Sequence, residues 1–163
     1  MKKTAIFILL ILIYGCGYTA VYKNTKTQDL KINVVSAEGN LEMNNLLKNQ
    51  IKLFSNDNSE NIFNVDIKTD YKKMVVTKDA KGIATNYKLD GIYNFKINFK
   101  DKEYSINITE SFNIKKNSNS YEQRNYEKKI KENFVRSAVD KLIIKLMTIM
   151  IRFKLFYKCI CCI

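Results

Sequence analysis

Thiols, amines and carboxylates are the groups in this 163-residue chain that could do chemistry, and their placement decides most of what that chemistry can be. The four cysteines are Cys16, Cys159, Cys161 and Cys162. None falls between Cys16 and Cys159, so the central stretch has no disulfide framework and no thiol nucleophile. Cys159, Cys161 and Cys162 are too crowded to pair easily and lack the spaced Cys-x-x-Cys pairs of a zinc site. Histidine is absent, which removes the usual general base at neutral pH. Asp66, Asp70, Asp79 and Asp90 are scattered without the spacing of a metal loop. The expectation is a protein that is not an enzyme and carries no metal or cofactor.

Cys16 has a distinct context. Lys2 and Lys3 give a positive start, Ala5 through Ile13 form an apolar run, and Gly15 stands directly before the cysteine. That is the layout of a secretory signal peptide over residues 1–15. The run is well short of the ~20 apolar residues a spanning helix needs. An ordinary signal peptide, or an N-terminal anchor beside a chance cysteine, fits the same pattern. With Cys16 in that place, Ile13-Tyr14-Gly15-Cys16 resembles the lipobox of a bacterial lipoprotein. The resemblance implies that Cys16 receives the lipid and becomes the first mature residue. Several acyl chains anchor a protein stably without a spanning helix. Gly17 follows the cysteine where inner-membrane lipoproteins carry Asp, so the sorting resemblance implies the outer membrane.

The net charge is +12, and it falls by two when Lys2 and Lys3 leave with the signal. A basic domain at a membrane suits phosphate-bearing lipids. Nucleic acid suits the charge but not an exported address. The length left after the signal supports one modest domain.

Residues 16–29 are polar and aperiodic and read as a tether. Residues 30–35, with Ile32, Val34 and Val35, read as a strand, and Gly39-Asn40 as a turn with Asn40 as a helix N-cap. Met43, Leu47, Ile51 and Phe54 then share one helical face, with Leu46 and Leu53 beside them. Asn44, Asn45, Lys48 and Lys52 are expected on the wet side. Phe63, Val65 and Ile67 alternate with polar residues, a pattern extending toward Val76. Residues 77–82 read as a turn. Tyr87, Leu89, Tyr93, Phe95, Ile97 and Phe99 alternate through a long strand. Asp101-Lys102 is a tight connection to a strand with Tyr104, Ile106, Ile108, Phe112 and Ile114 inward, so the two strands form an antiparallel hairpin. After a loop at 115–119, Ser120 and Gln123 suggest a capping box. A stripe then runs through Tyr126, Ile130, Phe134, Ala138, Leu142 and Leu146. The order β-α-β-β-β-α predicts an α+β two-layer sandwich, with two helices on one face of a roughly four-stranded mixed sheet.

From Ile13 to about residue 150 the chain resembles the lipopolysaccharide-assembly lipoprotein LptE family. The likeness rests on the Cys16-Gly17-Tyr18 start, the element order, the stretch Ala84-Thr85-Asn86-Tyr87-Lys88-Leu89, and the closing helix Ala138-Val139-Asp140-Lys141-Leu142-Ile143-Ile144-Lys145-Leu146. It implies a domain at 30–150 that plugs and helps assemble an outer-membrane β-barrel partner of the LptD kind, on the periplasmic side. It also implies contact with lipopolysaccharide through cations near the sheet tip and the loop before the last helix. The matching residues are Lys78, Lys81, Lys115, Lys116 and Arg124; taken singly, each is also an ordinary solvated surface charge. A lipoprotein that shuttles a lipid or amphiphile, or a generic envelope adaptor, is the alternative from a different class. The tail, residues 151–163, departs from the family with its apolar and basic mixture.

Overall fold

The computed structural model describes residues 29–160, with side chains described through Lys154. Cys16, the signal, most of the tether, Cys161 and Cys162 lie outside the described residues, as does the side chain of Cys159. The elements are β1 (Lys31–Gly39), α1 (Leu41–Lys52), β2 (Ile62–Lys78), β3 (Ala84–Phe99), β4 (Lys102–Lys115) and α2 (Ser120–Ile160). The four strands form one sheet in the order β1-β2-β3-β4. β1 and β2 are parallel, and β2–β3 and β3–β4 are antiparallel. This is the expected α+β arrangement. α1 is the crossover that a parallel pair requires.

β1 runs past the expected end at Val35, through a bulge between Val34 and Ser36, to Gly39, which pairs with Thr69. Gly39 has φ +96°, and a Cβ there would lie 1.9 Å from the Thr69 carbonyl oxygen. Only glycine fits that closely against the neighbouring strand. Asn40 then caps α1, its side-chain oxygen accepting from the Met43 N–H at 3.0 Å. Met43, Leu47 and Ile51 are buried as their spacing predicts. Asn44 is not on the wet side. It is buried, and its oxygen accepts from the Thr69 hydroxyl at 2.8 Å. The partner comes from β2, so the hydrogen bond that makes burial tolerable is invisible locally. Leu53, the C-cap of α1, is exposed.

Inward residues of β2 and β3 are Phe63, Val65, Ile67, Leu89, Tyr93, Phe95, Ile97 and Phe99, all buried. Phe63 stacks on Phe99 with centroids 4.2 Å apart. α1 packs over β1 and β2, α2 over β3 and β4, and the helices touch each other. The Lys131–Glu42 ion pair links the two helices, and the Lys131 ammonium lies 4.6 Å from the Tyr71 ring centre. Burial, with Glu127 and Glu42 nearby, pushes the Tyr71 phenol up to about 12. The β3–β4 turn uses Lys100 and Asp101, both with positive φ, one residue earlier than expected. Phe99 pairs with Lys102, so this is a two-residue hairpin.

α2 is 41 residues long, roughly 60 Å at 1.5 Å per residue. Its cap is Asn119 rather than Ser120: the Asn119 side chain accepts from the Tyr121 N–H at 2.9 Å. Gln123 bonds instead to the Asn117 N–H. Burial on the stripe begins at Ile130, because Tyr126 is exposed. The helix continues through residue 150 without a break, and Phe153 packs edge-on against Phe99 at 5.6 Å. Among the described residues, no helix is long and apolar enough to cross a membrane.

Candidate functional site

The β2–β3 turn and the β4–α2 loop sit at the same end of the sheet. Lys78 pairs with Ala84 at the base of the turn, and Asn86 pairs with Lys115 across β3 and β4. The Lys116 N–H bonds the Thr85 carbonyl at 2.8 Å, fastening the second loop to the first hairpin. The predicted cations therefore belong to one end of the molecule.

Both loops are internally bonded. In the first, one Asp79 carboxylate oxygen accepts from the Lys81 and Ile83 N–H groups at 2.9 and 2.8 Å. Gly82, with φ +79°, lets the chain reverse. Thr77 and Thr85 hydroxyls meet at 2.7 Å, and Asn86 donates to Thr77 at 2.7 Å. In the second, Asn117 is the hub. Its N–H donates to Gln123, its side-chain amide donates to Glu122, and its side-chain oxygen accepts from the Asn119 N–H.

Lys78, Lys81, Lys115, Lys116 and Arg124 are all exposed. Lys115 and Lys116 border two open clefts. One, of about 530 Å3, lies against Ile83–Asn86. The other, of about 610 Å3, lies between β4 and the start of α2. Lys78 and Lys81 stand on the hairpin turn, and Arg124 stands at the start of the second turn of α2, outside both cleft linings. The structure thus gathers the five residues on one end without converging them on one cavity. Asp79 is engaged in its turn and Glu122 in its bond to Asn117, so both of these carboxylates already have partners.

Two apolar side chains at this end face water against expectation. Phe112 is 45% exposed and Tyr126 is 48% exposed. The alternation of β4 is intact, but α2 buries its stripe only from Ile130 onward, so the far end of the sheet is thinly roofed. No sequence signal marked these two residues as surface groups.

The other face of the sheet is uncovered and mostly polar, although Ile62, Met74 and Ile92 also lie on it. Asn64, Lys68, Lys96, Asn98 and Asn107 are exposed there. Asp90 sits on the same face, accepting from the Ser111 hydroxyl at 2.6 Å with the Lys88 ammonium 3.2 Å away. The Ser111 bond, with Lys88 beside it, holds the Asp90 carboxyl below the usual range against the opposing effect of burial.

No protein-family model matches the chain, and no curated protein matches it in sequence. Its fold is shared with solved bacterial lipoproteins. Rare lipoprotein B from Shewanella oneidensis superimposes with a TM-score of 0.60 at 10% identity, covering 76% of this chain and 98% of that one. A candidate lipoprotein from Caulobacter crescentus CB15 gives 0.50 at 17% identity, covering 73% of this chain and 89% of that one. At such identities the likeness is one of fold.

Proposed function

We propose that this chain is an outer-membrane lipoprotein that plugs, and helps assemble, a β-barrel lipopolysaccharide translocon of the LptD kind, anchored through Cys16. The observation that carries the reading is the uncovered sheet face. A sheet with one apolar, helix-covered face and one mostly polar face, interrupted by Ile62, Met74 and Ile92, can stand inside a water-filled barrel lumen without exposing its core. Lys115 and Lys116, which border both clefts, with Lys78, Lys81 and Arg124 at the same end, supply positive charge for the phosphates of lipopolysaccharide. The shared fold with bacterial lipoproteins supports the envelope address. The carrier reading is less well supported, since the two clefts at the basic end are open and partly polar rather than enclosed and apolar.

Anchoring is tested with palmitate labelling of the wild type and Cys16→Ser, followed by membrane fractionation. The wild type labels and fractionates with the outer membrane, and the variant does neither. Equal labelling of the two proteins would contradict the lipoprotein assignment.

A further inference from the structure

We propose that the cleft between β4 and the first turns of α2 binds an extended, acidic peptide segment, which adds as a fifth strand along the free edge of β4. This goes beyond the translocon reading and does not depend on it.

β4 is the last strand of the sheet among the described residues, so one side of its backbone has no neighbouring strand. Which residues present that side follows from the ladder. The Lys116 N–H bonds the Thr85 carbonyl, and the two-residue turn pairs Phe99 with Lys102. Both place the even-numbered residues of β4 with N–H and C=O toward β3. Asn113 and Lys115 therefore point theirs outward, along the edge. Edge strands of this kind are templates for pairing, and proteins that do not use them cover or blunt them. Below this point α2 lies close to β4, where Glu110 binds Ser137 and Lys141. Above it the helix leaves an open cleft of about 610 Å3.

The side chains around the cleft define the occupant. Phe112 and Tyr126 line it and are half exposed, forming an apolar floor on the helix side. Lys115 and Lys116 supply cations at its mouth. Of the nearby carboxylates, Glu122 binds Asn117 and Glu127 pairs with Lys73. An added strand would turn alternate side chains toward Phe112 and Tyr126, and the others toward the open face beside Lys115. Backbone bonds give such strand addition its affinity, and alternate side chains give it its specificity. The matching segment alternates apolar residues with carboxylates.

The test uses the full-length chain in mild detergent and a short fluorescent peptide of alternating valine and glutamate, with valine–lysine and serine–glutamate peptides as controls. Binding is read by anisotropy, and strand addition by backbone hydrogen exchange over residues 110–117. The acidic apolar peptide should bind best and slow exchange in that segment. Asn113→Pro removes an outward N–H that β3 does not use, a substitution edge strands tolerate. It should weaken binding at least about tenfold, the order expected when a backbone bond is lost and its partner left unpaired. Phe112→Ser gives a second, side-chain variant with the same expectation, should the proline variant fold poorly. Binding that is unchanged by both substitutions, or that leaves exchange at 110–117 unaltered, would overturn the proposal. So would loss in Lys115→Glu alone, which would make the lysine a simple point charge for any anion, lipid phosphate included. Protection that appears with rising protein concentration and no peptide would assign the edge to a second copy and also overturn it.

Discussion

The backbone N–H of Lys116 donates to the carbonyl of Thr85 at 2.8 Å, so the loop before α2 is fixed to the β2–β3 hairpin rather than hanging beside it. Two segments separated in sequence become one surface, and their lysines become a single charged end. The single basic end of the molecule depends on this bond.

Charge at that end should matter more than charge elsewhere. Lys78, Lys81, Lys115 and Arg124 reversed together to Glu change the net charge as much as reversal of the exposed Lys48, Lys52, Lys68 and Lys96. Lipopolysaccharide binding by the full-length chain, measured at low and high salt, should fall selectively in the loop set. The difference should shrink as screening shortens the reach of exposed charges. Equal loss in both sets would reduce the basic character to diffuse attraction.

The core makes a separate prediction. Phe95 is fully buried and Phe134 nearly so, on opposite sides of the sheet–helix interface. Phe→Ala at either position should cost about 3–5 kcal/mol in chemical denaturation, the usual cost of emptying such a site. Tyr126→Ala should cost far less, because Tyr126 lies beyond the buried part of the stripe. An equal cost at all three would mean that α2 packs in a different register.

Most of this architecture was legible because it rests on local periodicity. Phe63, Val65 and Ile67, and the longer run from Leu89 to Phe99, declared strands with one dry face. Met43, Leu47 and Ile51 declared a helix. What was not legible depends on residues distant in sequence. Asn44 looks like a surface residue until Thr69 arrives from β2 to bond it. Phe112 looks like core until α2 proves not to cover it. Ser120 looks like a cap, but Asn119 stands in the better place to receive the first N–H groups of the helix. The basic loops were identifiable from their lysines. Their joining through Lys116 and Thr85, and the open edge beside Asn113, required the strand register.

Asp90 predicts an acid-side dependence. Its carboxyl is held below the usual value by the Ser111 hydroxyl, with Lys88 assisting. The unfolded chain therefore binds the proton more readily, and stability rises with pH across the window below the ordinary aspartate pKa of about 3.9. Asp90→Asn should be less stable than the wild type at neutral pH by on the order of 1 kcal/mol, the scale of a hydrogen bond to a charged group. That gap should close as the pH falls through the carboxyl's lowered folded value. Urea midpoints measured at neutral and acid pH check it, and a gap independent of pH would show that the charge contributes nothing.

The most direct test of the central claim is stoichiometric co-purification. The full-length chain, tagged at its C-terminus, is isolated from detergent-solubilised outer membranes, and the eluate is analysed for a heat-modifiable β-barrel protein. The account predicts one barrel per copy of this chain, retained through size-exclusion chromatography in high salt. Recovery of the chain alone, or from the inner membrane, would contradict it.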